Sequence, residues 1–270
     1  MASLIDEQQL STLGARRIAI DTDPDELILP EEAQRRLAWI AGWLCQPPFI
    51  FREWGLSRFV DGGFRALFRG PSGTGKTMAA VALAKQTGFE LLRIDLAAID
   101  SKYVADTEKN LQQLFRATED SRTILLFDEA DALLARRGEA KDAHDRYANL
   151  EITLLLQKLE RFEGLAILAT NHCPDLDQSA LGRIDVIVDF PRPDEAAREA
   201  LWRRLLGTVK LGQVDDVDFR SLAGGFDLTG AEILRAVRMA ALLAAEDARD
   251  IDMGLLKCAA EERVRMQQPS

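Results

Sequence analysis

The sequence of 270 residues is poor in cysteine and histidine, the residues from which disulfide frameworks and zinc centres are built. It contains 3 cysteines, at positions 45, 173 and 258, and 2 histidines, and no two cysteines form a CxxC pair. This odd, scattered set argues against both a disulfide framework and a zinc site. No apolar run approaches the ~20 residues of a membrane span, and the N-terminus lacks the regions of a signal peptide. We therefore expect reduced thiols, no membrane insertion and a cytoplasmic location.

Basic residues are also fewer than acidic residues. The chain has 34 lysines and arginines against 44 aspartates and glutamates, which gives a net charge of −10. An acidic surface repels phosphate backbones, so nucleic acid is not an expected partner. Hydrophobic residues make up 47% of the chain, and 18 glycines and 9 prolines are ordinary numbers. This composition is typical of a folded globular protein rather than a fibrous or disordered one.

Short apolar runs alternate with helical stretches between residues 64 and 190. Strands are predicted at residues 66–68, 91–94, 123–127, 166–169 and 186–188, and helices at 76–85, 108–118 and 149–159. Such alternation predicts an α/β fold in which helices cover both faces of a parallel sheet.

The segments on either side of this central region lack its alternation of strands and helices. Residues 1–25 are polar and acidic, and we predict a flexible N-terminal arm there. A large α/β subdomain is predicted over residues 26–193, opening with an amphipathic helix after Pro30. After residue 193 the strand signal stops, and residues 194–270 are predicted to form a small subdomain made only of helices.

One motif points directly to phosphate chemistry. Residues Gly70, Pro71, Ser72, Gly73, Thr74, Gly75, Lys76 and Thr77 fit the pattern GxxxxGK[ST], between a predicted strand and a predicted helix. Glycines let successive backbone N–H groups turn toward phosphate oxygens, and the helix adds its positive N-terminal end. Lys76 is expected to reach the β- and γ-phosphates and Thr77 to bind Mg²⁺, and we count the next residue, Met78, with the nucleotide-binding set.

Polar residues follow two further predicted strands. Asp128 and Glu129 come directly after the strand at 123–127, and Asn171 after the strand at 166–169. Ligands of such sheets bind at the carboxyl ends of the strands, so Asp128 is predicted to hold Mg²⁺ and Glu129 to activate a water molecule. Asn171 is predicted to contact the γ-phosphate or that water. The alternatives are that the two acids begin a helix and that the asparagine caps a turn before Pro174.

With these motifs in place, the chain resembles an AAA+ ATPase of the classical AAA branch over residues 26 to 265. The resemblance implies a P-loop NTPase fold of the ASCE type, a helical AAA+ lid, and a ring, most simply a hexamer, that uses ATP and Mg²⁺. Residues 182–185 (GRID) resemble the GRFD segment, where arginines act on the ATP of the neighbouring subunit, which makes Arg183 the candidate. Residues 229–233 (TGAEI) resemble the SGAD segment of the lid, which implies that Gly230 and Ala231 lie near the nucleotide.

The resemblance also implies a substrate-gripping pore loop. Residues 100–111 (DSKYVADTEKNL) are similar to the family's pore loop and following helix, so Lys102, Tyr103 and Val104 would grip a polypeptide. Packing of Tyr103 in the core is the alternative. The chain departs from the family at Ala105 and Asp106, where Gly and Glu are usual, and it keeps only one of the two usual arginines, Arg183.

A finer resemblance is to bacterial AAA ATPases encoded with phage-tail-like contractile injection systems. It rests on residues 127–133, 141–151, 164–171 and 188–191. Those relatives usually carry a longer N-terminal region, so the chain is expected to be either a compact version or a truncated piece.

These observations lead to one main hypothesis and two rivals. The main hypothesis is a Mg²⁺-dependent ring ATPase that remodels or threads a protein partner. The first rival is an ATP-gated assembly scaffold with little hydrolysis, motivated by the missing arginine and the altered pore loop. The second is a DNA-associated AAA+ switch, which the net charge of −10 disfavours.

Overall fold

A six-stranded sheet is the central feature of the computed structural model of this chain. The structure describes residues 6–45, 53, 55, 63–95, 112–118, 122–131, 155, 157–171, 181–207 and 217–267. The described chain falls into two compact units. One comprises residues 1–27, 31–70 and 76–189, and the other residues 28–30, 71–75 and 190–270.

The first unit carries the sheet and the helices that flank it. Its strands are β1 (Ala15–Arg17), β2 (Phe64–Arg69), β3 (Glu90–Ile94), β4 (Thr123–Phe127), β5 (Leu165–Thr170) and β6 (Val186–Asp189), and its helices are α1 (Glu7–Thr12), α2 (Glu31–Cys45) and α3 (Lys76–Thr87). A single 3₁₀ turn spans Pro24–Glu26. Residues 112–118 and 157–161 are also helical, within or beside two of the predicted helices.

The strands lie in the order β1-β3-β4-β5-β2-β6. All neighbouring pairs from β3 to β6 are parallel, as strand–helix–strand units require. Strands β4 and β5 are buried along their whole lengths, which explains why their sequences are almost continuously apolar. The predicted α/β fold class is confirmed, and the carboxyl ends of β2, β4 and β5 come together at one edge of the sheet.

The N-terminal segment differs from the predicted flexible arm. Helix α1 buries Leu10, and Leu13 beside it is 3% exposed in the main core. Strand β1 then adds to the sheet edge, antiparallel to β3, with Ala15 opposite Ile94. The prediction of an arm was wrong for these residues because two buried leucines and a three-residue strand leave almost no hydrophobic pattern among polar neighbours.

The second unit contains helices and no described strand. Its helices are α4 (Glu195–Gly207), α5 (Phe219–Gly225), α6 (Gly230–Glu246) and α7 (Met253–Arg265). Trp202 is fully buried in its core, with Leu206, Ile233, Ala236 and Leu256. The longest segment of the unit begins at Phe190, three residues before the predicted end of the α/β subdomain at residue 193.

None of the described helices is long and apolar enough to span a membrane.

Candidate nucleotide site

Lys76 is the best-anchored side chain of the phosphate-binding motif. It is the first residue of α3, directly after the loop that leaves β2, and it is only 7% exposed. Its Nζ donates to the backbone carbonyl of Gly70 at 2.6 Å and to Oδ1 of Asn171 at 2.8 Å. The ammonium group is therefore held between the carboxyl ends of β2 and β5, where a phosphate would meet it.

The candidate metal ligands also meet at this edge. Thr77 Oγ1 lies 3.3 Å from Oδ2 of Asp128, which directly follows β4. A single hydrated ion would contact both oxygens, and Mg²⁺ takes one or two carboxylates and keeps several waters. The residues therefore fit Mg²⁺.

Glu129 adopts an unusual backbone conformation. Its φ angle is +57°, in the left-handed region that residues other than glycine seldom adopt, and its side chain is exposed. Its backbone N–H donates to Oδ1 of Asp128 at 3.2 Å. The two acids thus form a tight turn at the end of β4 in which Asp128 keeps Oδ2 toward Thr77.

Two hydrogen bonds from the end of β5 hold this turn. The N–H of Ala130 donates to the carbonyl of Ala169 at 2.8 Å, and the fully buried hydroxyl of Thr170 donates to the carboxylate of Asp131. These contacts fix the residues on both sides of the strained position. They explain how a glutamate is kept at a positive φ.

The middle of the phosphate loop belongs to the helical unit. The carbonyl of Gly73 accepts from the N–H of Ala231 at 3.1 Å, in the first turn of α6. Gly73 has φ +79°, and a Cβ there would lie 2.8 Å from both Ala231 Cβ and Thr229 Oγ1. Thr229 and Glu232 form a capping box at the start of α6, so the Gly230 and Ala231 segment is held rigidly beside the loop.

Arg183 lies at the opposite edge of the sheet from these groups. It comes just before β6, where the N–H of Asp185 donates to the carbonyl of Arg65 near the amino end of β2. Its guanidinium is 40% exposed and makes an ion pair with Glu160, while Asp185 pairs with Arg65 at 3.0 Å. Since Lys76 and Asn171 lie at the carboxyl edge, Arg183 is not placed beside the phosphate site of its own chain.

Three residues beside the site, Arg93, Thr170 and Asp131, were not predicted from the sequence. Arg93, on β3, makes an ion pair of 3.3 Å with the same Asp128 oxygen that Thr77 contacts. A charged residue near the end of an otherwise apolar strand was the available signal for it. The remaining predicted groups, Lys102, Tyr103 and Val104, lie outside the described residues.

This arrangement is that of a P-loop NTPase fold of the α/β class. A GKT loop follows β2, an Asp-Glu turn follows β4, and a polar residue follows β5. Comparison with known proteins agrees, because residues 66–192 match the model of the family described as "ATPase family associated with various cellular activities (AAA)". Residues 66–192 are therefore similar to the ATPase domain of this family.

Similar proteins include Proteasome-activating nucleotidase 1 of Haloferax volcanii, 32% identical over 75% of this chain and 50% of that protein. The 26S proteasome regulatory subunit 4 homolog of Schizosaccharomyces pombe is 35% identical over 67% of this chain and 42% of its own length. The Cell division cycle protein 48 homolog of Archaeoglobus fulgidus is 30% identical over 79% of this chain and 29% of its own length. The chain thus spans half or less of the length of these relatives.

Proposed function

We propose that the chain binds ATP at Gly70–Thr77 and hydrolyses it with Glu129 as the group that activates water. The observation that supports this most strongly is the convergence at one sheet edge. Lys76 contacts Asn171 at 2.8 Å, and Thr77 contacts Asp128 at 3.3 Å. A glutamate held at a positive φ follows immediately.

Each residue has a distinct task in this proposal. Lys76 exchanges its contact with Asn171 for phosphate oxygens, and the backbone N–H groups of the loop bind the same oxygens. Asn171 then remains at the end of β5 to donate from its amide to the γ-phosphate or to the attacking water. Glu129 orients that water and accepts its proton. Mg²⁺, held by Thr77 and Asp128, would supply charge neutralisation on the β- and γ-phosphates.

The direct test is Glu129→Gln. The variant keeps the shape of the side chain but cannot accept the proton, so we expect ATP binding to persist while kcat falls about 10²- to 10⁴-fold. The control is Glu163→Gln, at an exposed glutamate just before β5, at the far edge of the sheet. Full activity of Glu129→Gln, or an equal loss in the control, would contradict the assignment. A wild type that binds ATP but hydrolyses little would favour the scaffold instead.

We further propose that the chain works as a ring, most simply a hexamer, in which Arg183 completes the site of the neighbouring copy. The position of Arg183 at the amino edge of the sheet supports a role outside its own site. An arginine supplied to a phosphoryl-transfer site by a partner accelerates reaction about 10³- to 10⁵-fold. A single such arginine suffices for catalysis in this proposal.

The proposed output is remodelling of a protein partner in the cytoplasm, with Lys102, Tyr103 and Val104 gripping an extended polypeptide. An unfolded protein such as casein is then expected to stimulate the ATPase, and Tyr103→Ala is expected to lose that stimulation. Unchanged stimulation would contradict the gripping role. A place in a contractile injection system is proposed from the sequence resemblance alone, and sheath and tube genes beside this gene would support it.

A further inference from the structure

Arg93 places a permanent positive charge on the candidate magnesium carboxylate. Its Nη2 lies 3.3 Å from Oδ2 of Asp128. The same oxygen is 3.3 Å from Thr77 Oγ1, whereas Oδ1 accepts the N–H of Glu129. The Asp128 side chain is 16% exposed and that of Arg93 31%, so water screens this pair only in part.

The register of the sheet explains how Arg93 reaches Asp128. Arg93 is paired with Leu126 across the parallel β3–β4 ladder, and Asp128 follows Leu126 by two residues on the same face. On its other side Arg93 is directly opposite Arg16 of β1. Two like charges opposite each other in a sheet repel, and the ion pair with Asp128 offsets the repulsion between Arg93 and Arg16.

We propose that Arg93 competes with Mg²⁺ for Asp128 and thereby sets the metal concentration at which the nucleotide site becomes loaded. The inference rests on the proposed function of the site. An arginine stays protonated at every physiological pH, so its charge opposes any cation that shares the Asp128 oxygen. In the absence of metal the same guanidinium balances a largely buried carboxylate. Arg93 is thus a positioning residue that acts through Asp128.

The test uses Mn²⁺, whose free ion is counted by electron paramagnetic resonance, as the probe for the metal site of the full chain with bound ADP. For Arg93→Gln we expect the dissociation constant of Mn²⁺ to fall about tenfold, since a neighbouring charge changes a carboxylate's affinity for a cation by at least about that factor. Arg93→Lys, which keeps the charge, should remain near the wild type. General structural damage would weaken metal binding and not strengthen it.

Arg16→Gln is the matched control, because it removes the same charge from the opposite position on β1. It should change the dissociation constant much less than Arg93→Gln. Asp128→Asn should lose most of the Mn²⁺ affinity, which assigns the signal to this site. The proposal is overturned if Arg93→Gln binds Mn²⁺ as the wild type does or more weakly, if Arg16→Gln has an equal effect, or if Asp128→Asn has none.

Binding of fluorescent ADP to the wild type is measured first and separates this proposal from the one on which it rests. If ADP does not bind, the proposed function itself fails. If ADP binds and Arg93→Gln does not tighten Mn²⁺ binding, the proposed competition of Arg93 with the metal ion is contradicted and nucleotide binding is not. Thermal unfolding of each variant verifies that it is folded.

Discussion

Glu129 occupies the most strained backbone position of the candidate site. A left-handed conformation costs a residue with a side chain about 1–2 kcal/mol. The N–H of Ala130 donates to Ala169 and the carboxylate of Asp131 accepts from Thr170, and these two hydrogen bonds hold the chain in this conformation. In this turn the side chain of Glu129 is exposed, while Oδ2 of Asp128 lies 3.3 Å from Oγ1 of Thr77.

Thr170→Val tests whether this support matters for the chemistry. The change keeps the shape of the fully buried side chain but removes the donor to Asp131. We expect kcat to fall about ten- to a hundredfold through misplacement of Glu129. We also expect a stability loss of about 1.5–3 kcal/mol from the lost hydrogen bond to a charged group. Steady-state kinetics and urea unfolding measure the two effects.

Thr123→Val is the comparison for that variant. Thr123 is 1% exposed at the amino end of β4, so its hydroxyl is equally buried but distant from Glu129. It should lose stability and keep kcat. Equal losses of kcat in the two variants would show that Thr170 acts only on the stability of the sheet.

At the scale of elements, the middle of the phosphate loop packs against the start of α6. The loop carbonyl of Gly73 accepts a hydrogen bond from α6, and the capping box of Thr229 and Glu232 fixes the first turn of that helix. No side chain fits at Gly73, because its Cβ would meet Ala231 and Thr229 at 2.8 Å. The glycine is required by close approach as well as by its φ angle.

Gly73→Ala separates these two requirements when it is compared with Gly88→Ala. Both glycines have positive φ, +79° and +69°, but a Cβ at Gly88 meets nothing within 4 Å in the described part of the chain. Each variant should lose about 1–2 kcal/mol of stability from backbone strain. Only Gly73→Ala should also weaken ATP binding, by about tenfold or more, because each 1.4 kcal/mol of distortion costs that factor.

Fluorescent-nucleotide titration and urea unfolding measure both variants. Unchanged ATP affinity in Gly73→Ala would show that the loop tolerates a shift away from α6.

The sequence allowed the parallel strands to be located within one or two residues, because buried strands such as Thr123–Phe127 are uniformly apolar. It did not reveal β1, since Ala15–Arg17 is short and charged and is stabilised by pairing with β3. Lys76, Asp128 and Asn171 follow a motif spacing, so their meeting at one sheet edge was predictable. Arg93 was not, because its role depends on the register between β3 and β4.

At the scale of the whole molecule, the sheet separates two sets of functional groups. Lys76, Asp128 and Asn171 gather at the carboxyl ends of the strands, whereas Arg183 lies near the amino end of β2. Strand β2 has 6 residues, so the two edges are about 20 Å apart. No arginine side chain spans that distance, and a catalytic Arg183 must therefore act on another copy of the chain.

Mixing two inactive variants is the most direct test of this central claim. Glu129→Gln binds ATP without hydrolysing it but still supplies Arg183, whereas Arg183→Ala keeps Glu129. In rings assembled from equal amounts, about a quarter of the interfaces combine an intact Glu129 with a neighbour's Arg183, since such interfaces are head-to-tail. We predict that the mixture recovers about a quarter of the wild-type ATPase rate. A mixture no more active than the mean of its two components would contradict the shared site.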